Sequence, residues 1–341
     1  MPPQAPPAAS PVALEAYAAS LPALRLPAAA YKAAWGQCAA RGLRRKAVCA
    51  FDEDAVTLAV AAARAVGAEA HMPDALFLGA TTLPYDEKPS AATVVSALSA
   101  RSDVHVVELR GSTLAGLQAL AAAADYCRAH PGRRALAIAA DAPASAADMP
   151  LEHGLGAGAA AFVVGPGPGP VTVGRATAVS RETFGARMRR QDSPWTTDLE
   201  LRSDTLGPAL ADLKAAMTPT QTPPARLAVG GTAVEIRRIV RHMDLPQDAV
   251  SSLFADVGDA GAASAALALA EALDKAAAGD ALLALATGAG AIALELRASD
   301  RPATLRRGPP VADQAAAGRE VDYVAYLKHR GLLSSPIGGD A

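Results

Sequence analysis

The feature that most constrains the fold of this chain is an internal repeat, in which four segments of the first part recur in order in the second. The paired segments are 74–79 with 226–231, 106–121 with 253–269, 134–141 with 280–287, and 156–165 with 288–296. Each pair shares a pattern of short apolar runs, small-residue turns or alanine-rich helical stretches. Self-similarity of this kind indicates a duplicated unit. The sequence therefore predicts two similar α/β halves, packed as sheets between helices.

The stretch 104–124 is the centre of the first half. Its β-branched apolar run predicts a strand, and the leucines that follow at helical spacing predict a buried helix. The turn between them, 110–113, brings free N–H groups and the positive end of the helix dipole together, which suits a nucleophile or an anion. Ser112 and Thr113 are its hydroxyl candidates. The other interpretation is that one of them only caps the helix.

Composition excludes several classes of protein. The 341 residues are 51% hydrophobic with a net charge of −2, which predicts a soluble, globular, cytoplasmic protein that does not bind nucleic acid. No apolar run is long enough to cross a membrane, and the Pro- and Ala-rich residues 1–11 predict a disordered leader without signal-peptide features. Cys38, Cys49 and Cys127 lack CxxC spacing. We therefore expect neither a metal site nor a disulfide, only small buried thiols.

Several phrases of the sequence resemble the thiolase superfamily. They are RKAVCAFDEDAVTLAVAAA, DALFLGATTLPYDEKPSAATVVSAL, GSTLAGLQAL, GLGAGAAAFVVG, VGDAGAASAALALA and TGAGAIALEL. The chain is similar to the hydroxymethylglutaryl-CoA synthase and ketoacyl synthase III-like branch, in its archaeal and zinc-ribbon-associated bacterial form, over about residues 12–333. The resemblance implies an α/β thiolase fold with a layered α-β-α-β-α core. Its parts would be one half over 12–165, a joining segment over 166–224, a second half over 225–300, and a partner-binding C-terminal extension over 301–341.

The resemblance also implies where the catalytic groups of the family would lie. The nucleophilic cysteine of the central turn corresponds to Thr113, and the general acid/base glutamate corresponds to Thr81. The family histidine corresponds to Gly230 and the asparagine to Asp259. A threonine hydroxyl is a poor nucleophile without an adjoining base, and an aspartate would oppose the stabilisation of an acyl oxyanion. We therefore expect this chain to lack the thioester chemistry of the family.

The six histidines lie outside any motif with a nucleophile, and we expect them to be solvated or to cap helices. They are His71, His105, His130, His153, His242 and His329.

Two functions remain open at this point. The first is a non-catalytic thiolase-fold subunit of a heteromeric acyl-CoA thiolase or acyltransferase complex, which supports a cysteine-bearing partner. The second is an active hydroxymethylglutaryl-CoA synthase-like acyltransferase or C–C lyase, with a cysteine-free site formed by Ser112, Thr113 and Asp259.

Ligand and partners follow from the same resemblance. We expect no covalently bound cofactor, but a coenzyme A thioester is a possible ligand. Its phosphates would meet a cluster of cations that otherwise forms a solvated helix face, namely Arg237, Arg238 and Arg241. The strand over 104–109 is the expected contact with a second thiolase-fold subunit, in a homodimer or a heterodimer. A zinc-ribbon/OB-fold protein is the expected third member.

Overall fold

A computed structural model describes residues 10–68, 72–99, 101–182, 187–198, 206–217, 223–243 and 247–333. The strands within these ranges are β1 (Val12–Ser20), β2 (Leu24–Pro27), β3 (Arg45–Val48), β4 (Ala75–Gly79), β5 (His105–Leu109), β6 (Ala135–Asp141), β7 (Gly158–Pro166), β8 (Val171–Ser180), β9 (Met188–Arg189), β10 (Thr196–Thr197), β11 (Arg226–Val229), β12 (Val250–Ser251), β13 (Ala281–Gly288), β14 (Gly290–Ala298) and β15 (Arg319–Glu320). The helices are α1 (Ala28–Trp35), α2 (Ala55–Ala65), α3 (Ser90–Leu98), α4 (Ala115–Ala129), α5 (Pro150–Gly154), α6 (Leu206–Met217), α7 (Ala233–Met243), α8 (Phe254–Val257), α9 (Ala263–Lys275), α10 (Val311–Ala317) and α11 (Tyr323–His329).

The strand order confirms the internal repeat. Across the described residues a ten-stranded sheet runs β12-β11-β13-β14-β8-β1-β7-β6-β4-β5. On one side of its centre β1, β7 and β6 pair antiparallel, and β6, β4 and β5 pair parallel. On the other side β8, β14 and β13 pair antiparallel, and β13, β11 and β12 pair parallel. The two five-stranded halves therefore have the same topology, and β1 pairs with β8 where they join.

The helices form three layers around the two halves of the sheet. Residues of α4 and α9 lie in the central core, packed against β4 and β6 on one side and β11 and β13 on the other. The helices α2 and α3 cover the outer face of the first half, and α6 and α7 cover that of the second. This is the α-β-α-β-α layering that the sequence predicts. None of the helices in the described part of the chain is long and apolar enough to span a membrane.

Local sequence signals explain several element boundaries. Asp54 caps α2 through a capping box with Thr57, in which each side chain accepts the backbone N–H of the other. Gly67 then ends that region with φ near +87°, a conformation that glycine adopts without strain. An acidic N-cap and a glycine stop therefore set the two ends of this helix.

The structure also differs from the sequence-based prediction in three elements. The central strand β1 has no counterpart in the prediction, although all of its alanines are buried. Strand β8 and helix α6 lie within 166–224, the stretch predicted as a joining segment, and β8 occupies in the second half the place of β1 in the first. The run that begins at Leu253 leads into the short helix α8, and the strand of that unit is β12, just before it.

The C-terminal residues fold back onto the first half. Strand β15 pairs parallel with β2 and so extends the small β15-β2-β3 sheet. Helix α11 then places Tyr323 and Tyr326 in a separate core with residues of β2, α1 and β3. Residues 319–333 thus pack against the N-terminal half, whereas α10 contacts β1 of that half and also α8 and α9 of the second half.

Gly116 allows the two halves to approach closely at the central layer. A Cβ on this residue would lie 2.0 Å from the carbonyl oxygen of Ala262 and 2.8 Å from Cβ of Ala139. Because backbone must shift to relieve this overlap, we expect Gly116→Ala to lower the free energy of unfolding by about 1–3 kcal/mol. Urea denaturation measures the change.

The control for this substitution is Gly154→Ala, because a Cβ at Gly154 would meet its nearest neighbour at 3.6 Å, an ordinary contact. We expect the control to be close to neutral. Equal effects of the two substitutions would contradict the close approach at Gly116.

Candidate functional site

Thr81 lies after β4 and is bound to a buried carboxylate at the end of β6. The Asp141 side chain is fully buried, and its Oδ2 accepts the Thr81 hydroxyl at 2.6 Å and the Thr81 N–H at 3.1 Å. The same oxygen accepts the N–H of Ala262 at 2.9 Å, and Oδ1 accepts the hydroxyl of Thr82. Asp141 therefore joins the first half to the start of α9 in the second half.

Asp259 lies between α8 and α9 and is held by three donors. Its Oδ2 accepts Nη1 of Arg187 at 2.6 Å, and its Oδ1 accepts the N–H of Gly261 at 3.0 Å and the hydroxyl of Ser264 at 2.9 Å. The side chains of Arg187 and Asp259 are 19% and 12% exposed, so solvent screens this ion pair only in part. The negative charge at position 259 is thus neutralised by an arginine from the segment after β8.

Gly230 ends β11 beside the first turn of α9. A Cβ on Gly230 would lie 2.6 Å from the backbone nitrogen of Ala265 and 3.0 Å from Cβ of Ser264. The neighbouring cleft encloses about 10 Å³ and is lined by Gly230, Gly231, Ser252, Leu253, Ser264 and others. This is close to the space that one water molecule needs. The backbone therefore occupies the region into which a side chain at position 230 would project.

Thr113 contacts the end of β13, next to the turn that leads to β14. Its hydroxyl donates to the carbonyl oxygen of Thr287 at 2.5 Å. The Ser112 hydroxyl oxygen accepts the N–H groups of Leu114 and Ala289 at 3.3 and 3.4 Å. The N-cap position of α4 is Leu114, so the capping interpretation is wrong for Thr113, and the Ser112 contact with Leu114 is a long one. Both hydroxyls instead fasten the central turn to the second half.

The four residues predicted to lie at the family positions are therefore only partly brought together. Ser264 links Gly230 to Asp259, and the backbone at 261–262 links Asp259 to Asp141 and Thr81. The hydroxyl of Thr113 instead donates to Thr287 in strand β13, outside this network. Among the described residues no group of histidine, cysteine, aspartate or glutamate side chains could hold a metal ion.

Glu235 is a further titratable group at this edge of the second half. Its Oε2 accepts the N–H of Thr232 at 2.7 Å, as in a capping box at the start of α7. Burial raises the pKa of the Glu235 carboxyl, the Thr232 N–H partly offsets that rise, and the charge of Asp259 adds to it. This group is therefore more readily protonated than an exposed glutamate.

The predicted phosphate-binding arginines all lie on α7. Arg237, Arg238 and Arg241 are exposed, and the Arg237 side chain also donates to the carbonyl oxygen of Ala233. A Cβ on Gly42 would lie 3.1 Å from Cβ of Ala233, so α7 begins beside the loop that follows α1. That loop exposes Arg41, and Trp35 at the end of α1 is 45% exposed.

A second polar cluster lies outside the predicted site. Lys46 and Glu152 are each 1% exposed and form an ion pair of 2.9 Å. Oε1 of Glu152 also accepts the hydroxyls of Tyr31, at 2.5 Å, and of Tyr326. Burial lowers the pKa of Lys46 to about 8, although the charge of Glu152 opposes that shift. The cluster joins β3, α1, α5 and α11.

The prediction that the histidines are solvated or capping is wrong for His153. This residue is 2% exposed, its ring lies 4.1 Å from that of Tyr31, and its Nδ1 accepts the N–H of Ala39 at 2.9 Å. Burial lowers its pKa and favours the neutral ring. His105 and His130 are exposed and flank Tyr126 in a stack. His71 and the side chain of His242 lie outside the described residues.

Cys49 and Cys127 are buried as expected, whereas Cys38 is half-buried.

Sequence reasoning missed the residues that complete the site. Asp141 closes the apolar run of β6, and an acidic residue at the end of a buried strand is a usable signal. Arg187 lies in a segment without periodicity, and its pairing with Asp259 joins residues 72 positions apart. No local pattern indicates that contact.

Comparison with known proteins agrees with this architecture. No family model matches the chain. The hydroxymethylglutaryl-CoA synthase of Thermococcus gammatolerans is 30% identical to it over 134 residues, a match that spans 38% of this chain and 38% of that enzyme. The match therefore covers well under half of the curated relative.

Solved structures match over nearly the whole chain. A hydroxymethylglutaryl-CoA synthase complexed with CoA has a TM-score of 0.80 at 18% identity, covering 94% of this chain and 90% of that one. The 3-oxoacyl-(acyl carrier protein) synthase III of Pseudomonas aeruginosa has a TM-score of 0.74 at 19% identity, covering 88% and 100%. The chain has the thiolase fold of these proteins.

Proposed function

We propose that this chain is a hydroxymethylglutaryl-CoA synthase-like, thiolase-fold subunit that takes part in acyl-CoA chemistry without forming an acyl-enzyme itself. The observation that carries the proposal is the hydrogen bond of Thr113, whose hydroxyl donates to a backbone carbonyl. A hydroxyl attacks a thioester only when a base removes its proton. Within the described residues, this hydroxyl donates to the carbonyl oxygen of Thr287, which is not a base.

The surroundings of Gly230 and Asp259 support the same proposal. At Gly230 the backbone packs against Ala265 so closely that an imidazole would require the chain to move. At Asp259 the carboxylate is neutralised by Arg187 and accepts three hydrogen bonds. An oxyanion needs donors that point at it, and here the donors point at Asp259 instead.

Coenzyme A is the ligand we propose for this fold. The comparison structure with the TM-score of 0.80 is complexed with CoA. In this chain Arg237 and Arg241 are exposed on α7, which begins beside the loop that exposes Arg41, and Trp35 is exposed at the end of α1. These side chains offer cations for phosphates and an aromatic face for a base. Arg238 is exposed on the same helix and is the third member of the proposed phosphate site.

The partner we propose is a second thiolase-fold subunit that carries the cysteine. Strand β5 lies at an edge of the sheet within the described residues, with Val106 and Val107 half-buried. An apolar edge strand exposes unpaired N–H and C=O groups and favours pairing with another chain. A zinc-ribbon/OB-fold protein is the third member in this proposal, and the C-terminal residues after 301 are its proposed contact.

The second candidate function is an active hydroxymethylglutaryl-CoA synthase-like acyltransferase or C–C lyase with a cysteine-free site. The similarity to curated synthases favours this alternative over the non-catalytic one. In this alternative, Ser112 and Thr113 would bind the thioester, and Asp259 would act as the base that accepts a proton. The ion pair with Arg187 would have to open for Asp259 to act as a base.

Native mass spectrometry of a tagged copy purified from its source, combined with acetyl-CoA condensation and thiolysis assays, tests the proposal. We expect a thiolase-like chain to co-purify, with activity that is lost when its cysteine is changed and retained in Thr113→Ala of this chain. Thr93→Ala, on the exposed face of α3, is the matched control. A lone homodimer that turns over acyl-CoA and loses that activity in Thr113→Ala or Asp259→Ala would overturn the proposal and support the alternative.

A further inference from the structure

The C-terminal helix α11 is joined to the candidate site through one buried carboxylate. Tyr326 of α11 donates its hydroxyl to Oε1 of Glu152 on α5, the oxygen that also accepts Tyr31 and the Lys46 ammonium group. Glu152 and Tyr326 are 1% and 4% exposed. Because each donor comes from a different element, the position of Glu152 depends on the seating of α11, α1 and β3 together.

Helix α5 leads directly from Glu152 to the backbone of Asp259. The N–H of Asp259 donates to the carbonyl oxygen of Gly154 at 2.8 Å, and the N–H of Gly156 donates to the carbonyl oxygen of Asp259 at 2.9 Å. A Cβ on Gly156 would lie 1.8 Å from the carbonyl oxygen of Val257. The contact is thus backbone against backbone, and a shift of α5 has to move Asp259 with it.

A second contact joins the residue after α11 to the first half of the site. Nη2 of Arg330, just after α11, reaches the carbonyl oxygen of Ala142 at 3.5 Å. Ala142 follows Asp141, and its N–H donates to the Thr82 hydroxyl that binds the Asp141 carboxylate. The C-terminal segment therefore contacts Glu152 through Tyr326 and Ala142, the residue after Asp141, through Arg330.

We infer that Tyr326 and Glu152 are positioning residues, which set the place of Asp259 and of its partner Arg187 from outside the site. This goes beyond the proposed function, because it does not depend on whether the site is catalytic. Helix α11 would then be an element through which events at the C-terminal surface change the geometry of the site. Packed interiors transmit such displacements because they deform little.

Amide hydrogen exchange of the full-length protein tests this inference. Tyr326→Phe removes one hydroxyl and keeps the ring, so the fold should persist. We expect exchange about tenfold faster than in the wild type in peptides that span 150–158 and 254–262, because a hydrogen bond to a charged group is lost. CoA affinity measured on the same samples shows whether the displacement reaches the ligand. If exchange becomes faster as expected but CoA does not bind, the result counts against the proposed function and not against this inference.

Two further variants of α11 distinguish the positioning role of Tyr326 from a general loss of packing of this helix. Tyr323→Phe is the matched control, because the Tyr323 hydroxyl is buried without a regular hydrogen bond among the described residues. Leu327→Ala loosens α11 without touching Glu152. Faster exchange at 254–262 in Tyr326→Phe alone supports the inference. Exchange that is faster only within 319–333, or equally faster in all three variants, overturns it.

Discussion

Lys46→Met is expected to lower the free energy of unfolding by about 3–5 kcal/mol, because it leaves the Glu152 carboxylate buried without its counter-charge. Lys46 and Glu152 are each 1% exposed, so water cannot replace the lost ammonium group. Lys46 also donates to the backbone carbonyl of Glu152 at 2.6 Å, and its Nζ lies 4.6 Å from the centre of the Tyr326 ring. The substitution removes all of these contacts at once. Urea denaturation at neutral pH measures the loss.

The double variant Lys46→Met with Glu152→Gln is the decisive comparison. A neutral glutamine still accepts the hydroxyls of Tyr31 and Tyr326, so we expect it to recover at least half of the stability lost in the single variant. Lys32→Met, on the exposed face of α1, is the control for losing a lysine and should be close to neutral. A single variant within about 1 kcal/mol of the wild type would show that the ion pair stabilises little.

Much of the fold could be predicted because its elements repeat. The segments around β4, β6 and β7 recur as β11, β13 and β14, and the two sets have the same pairing in the sheet. Strand β1 could not be found this way. Its sequence, VALEAYAAS, is rich in alanine, which favours helices, and its burial on both faces removes the alternation that marks a strand. Tertiary pairing with β7 and β8 decides its conformation.

The contacts of the predicted site residues could not be derived from the sequence. Thr81 and Asp259 share one connected network in the structure. The groups that organise this network, Asp141 and Arg187, could not be assigned, because their roles depend on partners far away in sequence. The Thr113 hydroxyl was expected either to react or to cap a helix, and it instead crosses to Thr287. Sequence pattern and propensity reflect residues that are close in sequence, whereas these contacts join residues that are 60 to 174 positions apart.

Asp141→Ala is expected to lower the free energy of unfolding by about 4 kcal/mol, because several donors lose an acceptor that is fully buried. The N–H groups of Thr81 and Ala262 would stay buried and unpaired, and the Thr82 hydroxyl would keep only the N–H of Ala142. Asp141→Asn keeps the shape of the side chain but replaces one acceptor oxygen with an NH2 group, which faces other donors. We therefore expect it to destabilise the protein too, but less than Asp141→Ala. Asp125→Ala, on an exposed surface of α4, is the control.

A double-mutant cycle with Thr81→Val shows how the network acts. If the Thr81 hydroxyl and Asp141 work as one unit, the two substitutions should be less than additive by about 1–2 kcal/mol; simple additivity would contradict the connected network. Asp141 belongs to β6 and Ala262 precedes α9, so this carboxylate is one of the polar contacts between the halves. Its removal should therefore also broaden the unfolding transition, with a van't Hoff enthalpy below the calorimetric one as the halves begin to unfold separately.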